Sequence, residues 1–410
     1  MSQPRYLSAK EAAAELDISL PTLYAYVSRG LIRSEPTADK KRTRRYRVED
    51  VQKLKERQEQ RRNPAKVVED ALHWGTPLLE SALTLIHANR LYYRGYDVLE
   101  LAENYSVEQV AVLMWTGTLI EENPVLFREA PGPLPPRCQA VQSQAANLPA
   151  MEAFQMLLPL VAADDVSAYD LRPAMVSQTG AHILRLLTAI AARAEMVDVG
   201  VAQTLQQGWA ADDPGAAALL NTALVLCADH ELNVSSFTAR CVASAGATPY
   251  QVVVSGLAAL QGTKHGRTTD RVEAFFREVG QPERVQAVIA NRLRRGEKIP
   301  GFGHPLYPEG DPRGKLLLDL ATRRYANSAA VALATAVVDE ALRVISERPS
   351  LDVGLVVLAQ AMALPPDAPI TIFALGRIIG WIGHALEEYA ADRLIRPRAH
   401  YIGEPPRAAT

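Results

Sequence analysis

"IPGFGHPLYPEGDPRGK", Ile299 to Lys315, is the stretch that decides how the rest of this chain is read. Its four prolines and four glycines exclude a continuous helix, and a strand here would be short and interrupted. The sequence on either side is rich in alanine and leucine. A long irregular loop therefore stands inside a helical protein, and it carries His304 and Arg313. Loops of this composition are where backbone approaches a ligand.

Working outward, the body beyond Val67 is a series of amphipathic or wholly apolar segments. "PAMVSQTGAHILRLLTAIAARAEM" and "PGAAALLNTALVLCADHELNVSSFTARCVASAG" both run at helical periodicity. Alternating strand patterns are scarce. No strand–helix alternation points to a Rossmann or barrel fold. Gly301-x-Gly303 lacks the third glycine of a dinucleotide fingerprint. "EAPGPLPPRC", Glu129 to Cys138, reads as a rigid connection. The expected fold class is all-α.

The chain has 410 residues, of which 48% are hydrophobic, 22% charged and 6% aromatic. That is a globular composition too long for one core, so two or three domains are expected. No apolar run of about 18 residues appears, and the N-terminus lacks the apolar centre of a signal peptide. Cys138, Cys227 and Cys241 have no zinc or redox spacing. The expectation is a reduced, cytoplasmic protein with no metal and no membrane partner.

The net charge of −2 hides an asymmetry. Met1 to Arg62 holds fifteen Lys and Arg against nine Asp and Glu, or +6, which leaves −8 for the remainder. A basic head on an acidic body suggests two parts with different partners. In the head, Ser8 and Glu11 form a capping-box pattern that starts a helix near Ala9. Asp17-Ile18-Ser19 makes a turn. Ser19 caps a second helix that tolerates Pro21 and stops at Gly30. A basic run from Lys40 to Arg47 follows, as a hairpin, with a further helix from about Val48. Asn63-Pro64-Ala65 is the expected linker.

This head resembles the MerR-type winged helix-turn-helix over roughly Tyr6 to Arg57. The resemblance implies duplex DNA as a partner. It places Thr22, Tyr24, Ala25 and Arg29 on the reading helix and Lys41, Arg42, Arg44 and Arg45 on a phosphate-contacting wing.

In the body, His230 stands in "ADHELNVSSFTAR", His265 in "QGTKHGRTTD" and His304 in the opening stretch. All three are flanked by glycine, proline or small polar residues. His384 stands among apolar neighbours and reads as structural. Arg313, Arg377 and Arg396 have the planar fork that binds carboxylates in bidentate fashion. Three arginines with three histidines suit a small di- or tricarboxylate.

"LYYRGYDVLELAENYSVEQVAVLMWTG", "DHELNVSSFTAR", "PGFGHPLYPEGDPR" and "GRIIGWIGHALEEYAADRLIRPRAHYIG" together resemble citrate synthase, in that family's order and over nearly the whole body. The resemblance implies a two-domain body, with 66–263 and 357–410 as large domain and 264–356 as small domain, after a head of 1–62. It implies condensation of acetyl-CoA, or another short acyl-CoA, with oxaloacetate, with no cofactor besides the acyl-CoA substrate. Asp352 would be the base, His265 the neutral donor to the thioester carbonyl, and His304 the acid at the ketone. His230, Arg313 and Arg377 would hold oxaloacetate, with Arg396 reaching over from the other subunit of a homodimer. Arg294, Lys298 and the Pro300-Gly301-Phe302-Gly303 backbone would meet coenzyme A. A regulator whose body only senses an acyl-CoA or carboxylate is the alternative. Three departures stand out: Arg267 follows Gly266 where a second glycine is usual, Pro308 and Glu309 stand where a basic residue is common, and Val353 and Gly354 follow Asp352 in place of an aromatic.

Overall fold

The computed structural model describes residues 6–29, 31–36, 44–48, 50–51, 54, 79–122, 124–128, 136–145, 147–194 and 199–404. The helix stop at Gly30, the wing residues Lys41 and Arg42, the Asn63–Pro64 linker and most of the proline-rich connection lie outside them. The chain forms two compact units, Met1–Glu80 and Ser81–Thr410.

In the first unit, strand β1 (Tyr6–Ser8) leads into the helix Ala9–Glu15. Ser8 makes both bonds of the capping box with Glu11, at 2.8 and 3.3 Å. Ser19 then caps Leu20–Ser28 through the Thr22 N–H. Strands β2 (Ser34–Pro36) and β3 (Arg44–Arg47) pair antiparallel, and β1 adds to the other edge of β3. β1 is too short to leave a periodic signal, so the hairpin expected from sequence is a three-stranded sheet. Leu7 and Ser34 both stand opposite Tyr46, whose ring joins Ala12, Leu16, Leu23, Ile32 and Val51 in a small core.

The second unit opens with an antiparallel meander of β4 (Thr84–His87), β5 (Arg90–Tyr93) and β6 (Tyr96–Asp97). The regular elements described after it are helices. By length and composition Ala368–Ala391 is the one described helix long enough to cross a membrane, yet it is buried in the centre of the body. Pro173–Ala192, Ala216–Cys227, Val234–Ser244 and Pro249–Leu260 surround it. Its small residues let neighbours come close. A Cβ at Gly376 would lie 2.5 Å from the Leu224 carbonyl, and one at Gly380 would lie 2.5 Å from the Ala228 carbonyl. Those approaches bring the end of Ala216–Cys227, and the Asp229–His230 turn after it, onto the central helix.

A second group of helices packs around Leu351–Ala361, chiefly Pro312–Arg324, Thr268–Val279 and Ala329–Ile345. Here Gly354 has a packing role. A Cβ there would meet Leu317 Cβ at 2.9 Å and the Gly314 carbonyl at 3.0 Å. Val353 is fully buried in the core.

Candidate active site

The loop 299–310 is fixed along the segment that precedes Leu351–Ala361. Phe302 bridges Pro349, Gly303 N–H donates to Arg348 O at 3.0 Å, and Ser350 N–H donates to Gly301 O at 2.8 Å. Gly301 and Gly303 have φ of +81° and +77°. That conformation belongs to glycine, and a Cβ on Gly301 would also press on Val272 and Val353 at 2.6 Å. The loop is therefore locked against the helix whose first turn bears Asp352.

Asp311 caps Pro312–Arg324, bonding the Arg313 N–H at 3.0 Å. It also grips the Arg313 guanidinium through Nε at 3.0 Å and Nη2 at 2.8 Å, and it accepts the Leu351 N–H at 3.1 Å. One buried carboxylate thus sets both Arg313 and the start of the Asp352 helix. Ser350 Oγ donates to Asp352 Oδ2 at 2.9 Å. Burial pushes the Asp352 carboxyl above the ordinary aspartate range, against the bond from Ser350.

Two aromatic rings gather the other groups. The Tyr307 hydroxyl is 2.9 Å from His230 Nε2, its ring centroid is 4.9 Å from that of His304, and Arg313 lies over it at 5.4 Å. The His230 and His304 rings meet edge to face at 5.3 Å. Phe373 carries Arg377 over its face at 4.6 Å and meets His265 at 6.1 Å. Arg377 Nε donates to Cys227 O at 2.9 Å, the carbonyl that the close approach at Gly376 delivers. His265 Nε2 is 2.8 Å from Ser235 Oγ, which also accepts the Trp381 indole N–H at 3.2 Å. His304 Nδ1 accepts the Leu306 N–H at 3.2 Å, so the neutral ring carries its proton on Nε2.

All three histidines are held neutral. Burial and the neighbouring Arg377 bring His265 down to about 4. Burial, then Arg313 and Arg377, put His230 well below the ordinary range. Burial and Arg313 lower His304 as well. Arg313 and Arg377 are almost wholly buried. The site gathers two buried arginines, three histidines with lowered pKa and one carboxylate of raised basicity. It can hold a small dianion and move a proton at a carbon next to a carbonyl.

Other sequence-derived residues fall elsewhere. Arg396 is exposed in the tail beyond Asp392, which Ile395 N–H anchors to Ser244 Oγ at 3.1 Å, and it does not join the buried arginines of its own chain. Pro300 and Phe302 are buried, Gly303 is exposed, and Arg294 and Lys298 are exposed, with Arg294 bonded to Asn291 at 3.1 Å. Arg267 is turned to Asp270 at 2.7 Å and Gln261 at 3.0 Å, so its charge is matched beside the helix it precedes. His384 is fully buried at 3.2 Å from Asp229, which also accepts the Thr84 hydroxyl at 2.6 Å. In the head, Tyr24, Arg29, Arg44 and Arg45 are exposed and Thr22 is half-buried against Ser19. Arg45 reaches Glu35 at 3.3 Å and covers the Tyr6 ring at 4.1 Å.

Sequence reasoning missed Ser235, Tyr307, Asp311 and Phe373 as organisers. Asp311 had a signal, an Asp before a Pro at a helix start. The others had none beyond their place beside a named histidine or arginine. Among the described residues no group of His, Cys, Asp and Glu is placed to hold a metal ion.

Residues 71–398 match the family model "Citrate synthase, C-terminal domain", and residues 6–59 match "Helix-turn-helix domain". Citrate synthase 2 of Bacillus subtilis is 29% identical over 80% of this chain and 94% of its own length. The 2-methylcitrate synthase of Shewanella oneidensis is 28% identical over 80% of this chain and 93% of its own. Among solved structures, a citrate synthase from the thermophilic archaeon Thermoplasma acidophilum, in a ternary complex with carboxymethyl coenzyme A and oxaloacetate, superposes with a TM-score of 0.74 at 23% identity, covering 83% of this chain and 98% of that one.

Proposed function

This chain belongs to the citrate synthase family, and from that premise we propose that it condenses a short acyl-CoA, acetyl-CoA first, with oxaloacetate and then hydrolyses the thioester. The observation that carries the reading is the Tyr307 and Asp311 arrangement, which gathers His230, His304 and Arg313 and ties them to the helix of Asp352.

Arg313 and Arg377 pair with the oxaloacetate carboxylates, with His230 beside them. Asp352 removes a methyl proton from the acyl group, and its burial-raised basicity suits that task. His265 stabilises the enol oxygen as a neutral donor. The enol carbon attacks the ketone carbon, and His304 gives its Nε2 proton to the ketone oxygen. Water then cleaves the thioester, releasing the hydroxy tricarboxylate and free coenzyme A thiol. The protein works as a homodimer in which Arg396 completes the partner's site, and Arg294, Lys298 and the 300–303 backbone hold coenzyme A.

The test is thiol release from acetyl-CoA and from propionyl-CoA, each with and without oxaloacetate. Oxaloacetate-dependent release supports condensation, and the faster acyl-CoA names the substrate. Oxaloacetate-independent release, or none, overturns it. The helix-turn-helix match and the exposed Tyr24, Arg29 and Arg44 support a second role for the head, duplex DNA binding.

A further inference from the structure

The β4–β5 hairpin ends in a two-residue turn, Ala88–Asn89, closed by the pair His87 and Arg90. Both turn residues have positive φ, 49° and 61°, the geometry that matches hairpin twist. Asparagine tolerates that backbone. Alanine does so at a cost of about 1–2 kcal/mol. The tip is therefore not optimised for the turn alone.

Its side chain is used elsewhere. Asn89 Nδ2 donates to Gly310 O at 2.9 Å, and its Oδ1 accepts the Glu309 N–H at 3.1 Å. One amide spends both its arms on two successive residues of the loop that carries His304 and leads into Asp311. At the other end of the hairpin, Thr84 Oγ1 donates to Asp229 Oδ2 at 2.6 Å, and Tyr93 OH donates to Asp229 O at 3.0 Å. Asp229 is the residue before His230. The hairpin thus holds both histidine loops, one at its base and one at its tip, and the two loops meet at the His230–Tyr307 bond of 2.9 Å.

We propose that this hairpin is a strut that sets the spacing of the two substrate loops, and that Asn89 is a positioning residue which places His304, Asp311 and Arg313 through its grip on Glu309–Gly310. Its kinetic consequence rests on the condensation reading. Its structural consequence does not.

The full-length protein would be compared as wild type, Asn89→Gly, Asn89→Asp and Ala88→Gly. Asn89→Gly keeps the positive φ and removes both bonds. Asn89→Asp keeps the acceptor for Glu309 N–H. Ala88→Gly eases the turn without touching the grip. Hydrogen–deuterium exchange is read on peptides covering 303–313. Turnover number and KM for oxaloacetate are read with acetyl-CoA in excess. For Asn89→Gly we expect faster exchange confined to 303–313 and a rise of about tenfold in KM, the scale of losing one or two net hydrogen bonds. Asn89→Asp recovers part of both. Ala88→Gly leaves both at wild-type values and raises the melting temperature. Unchanged exchange over 303–313 in a folded Asn89→Gly protein overturns the proposal, as does exchange that rises evenly over the whole body. If wild type releases no thiol with oxaloacetate, the condensation reading fails, and the exchange comparison alone still decides whether Asn89 grips the loop.

Discussion

The body and the head both present arginines, and they use them in opposite ways. Arg313 and Arg377 are buried to within a few per cent, each locked by a partner remote in space from solvent: the Asp311 carboxylate and the Cys227 carbonyl. Arg44 and Arg45 lie on a strand at the surface, bonded to Ser34 O and to Glu35. A desolvated cation needs a fixed partner, and in return it acts at one point with little screening. An exposed cation is hydrated and screened by salt, so it acts by number. The first kind can orient a substrate for chemistry. The second kind can attract a polyanion.

The largest effect that tests this contrast is Asp311→Ala. It leaves the Arg313 charge buried without its counter-ion and frees the Leu351 N–H, so unfolding in urea should show a loss of about 3–5 kcal/mol. Adding Arg313→Met should restore much of that stability and none of the activity. If Asp311→Ala alone unfolds like wild type, Arg313 is solvated and the contrast collapses.

Next comes Asp352→Asn. The carboxyl's folded pKa is raised above its unfolded one, so the buried charge opposes folding once the pH exceeds the unfolded value. The amide should lower the turnover number at least about a hundredfold, the scale of losing a general base. It should also raise the melting temperature at neutral pH. A parallel fall in both would place Asp352 in a structural role.

A smaller effect concerns acid. His230, His265 and His304 have folded pKa values below the ordinary histidine range, His265 at about 4. Below pH of about 6.5 the unfolded chain takes up protons that the folded site refuses, so stability falls as pH drops toward 4. His265→Gln should flatten that slope in a melting series. A slope that steepens instead would mean the imidazole is charged in the folded protein.

The smallest effect lies in the head. If Arg44 contacts phosphate, Arg44→Gln should make the log–log salt dependence of duplex binding shallower by about 0.9. Arg45→Gln should change it less, since Glu35 and the Tyr6 ring already occupy that guanidinium. Equal losses from both would show that the Glu35 pair opens on DNA.

Much of this was legible in the residues themselves. The helix starts at Ala9 and Leu20 follow from Ser8, Glu11 and Ser19, because a cap is a contact over two or three positions. The irregular loop at 299–315 follows from proline and glycine, whose backbone limits are intrinsic. The short strands β1 and β4 to β6, two to four residues each, carry too few positions to show a period.

By itself the sequence determined the helical class, the breaks between helices and the residue types available for chemistry, since these depend on each residue's own backbone preference and on near neighbours. Only the tertiary structure decided that two of three similar arginines, Arg313 and Arg377, are desolvated, that Arg313 answers to Asp311 while Arg396 joins none of its own chain's site groups, and that Ser235, Tyr307, Phe373 and Asn89 organise the rest. The physical reason is range. His265 finds Ser235 30 positions away, Thr84 finds Asp229 145 positions away, and Asn89 finds Gly310 221 positions away. Burial and hydrogen-bond geometry are properties of the packed chain, and they exist only once those distant segments have met.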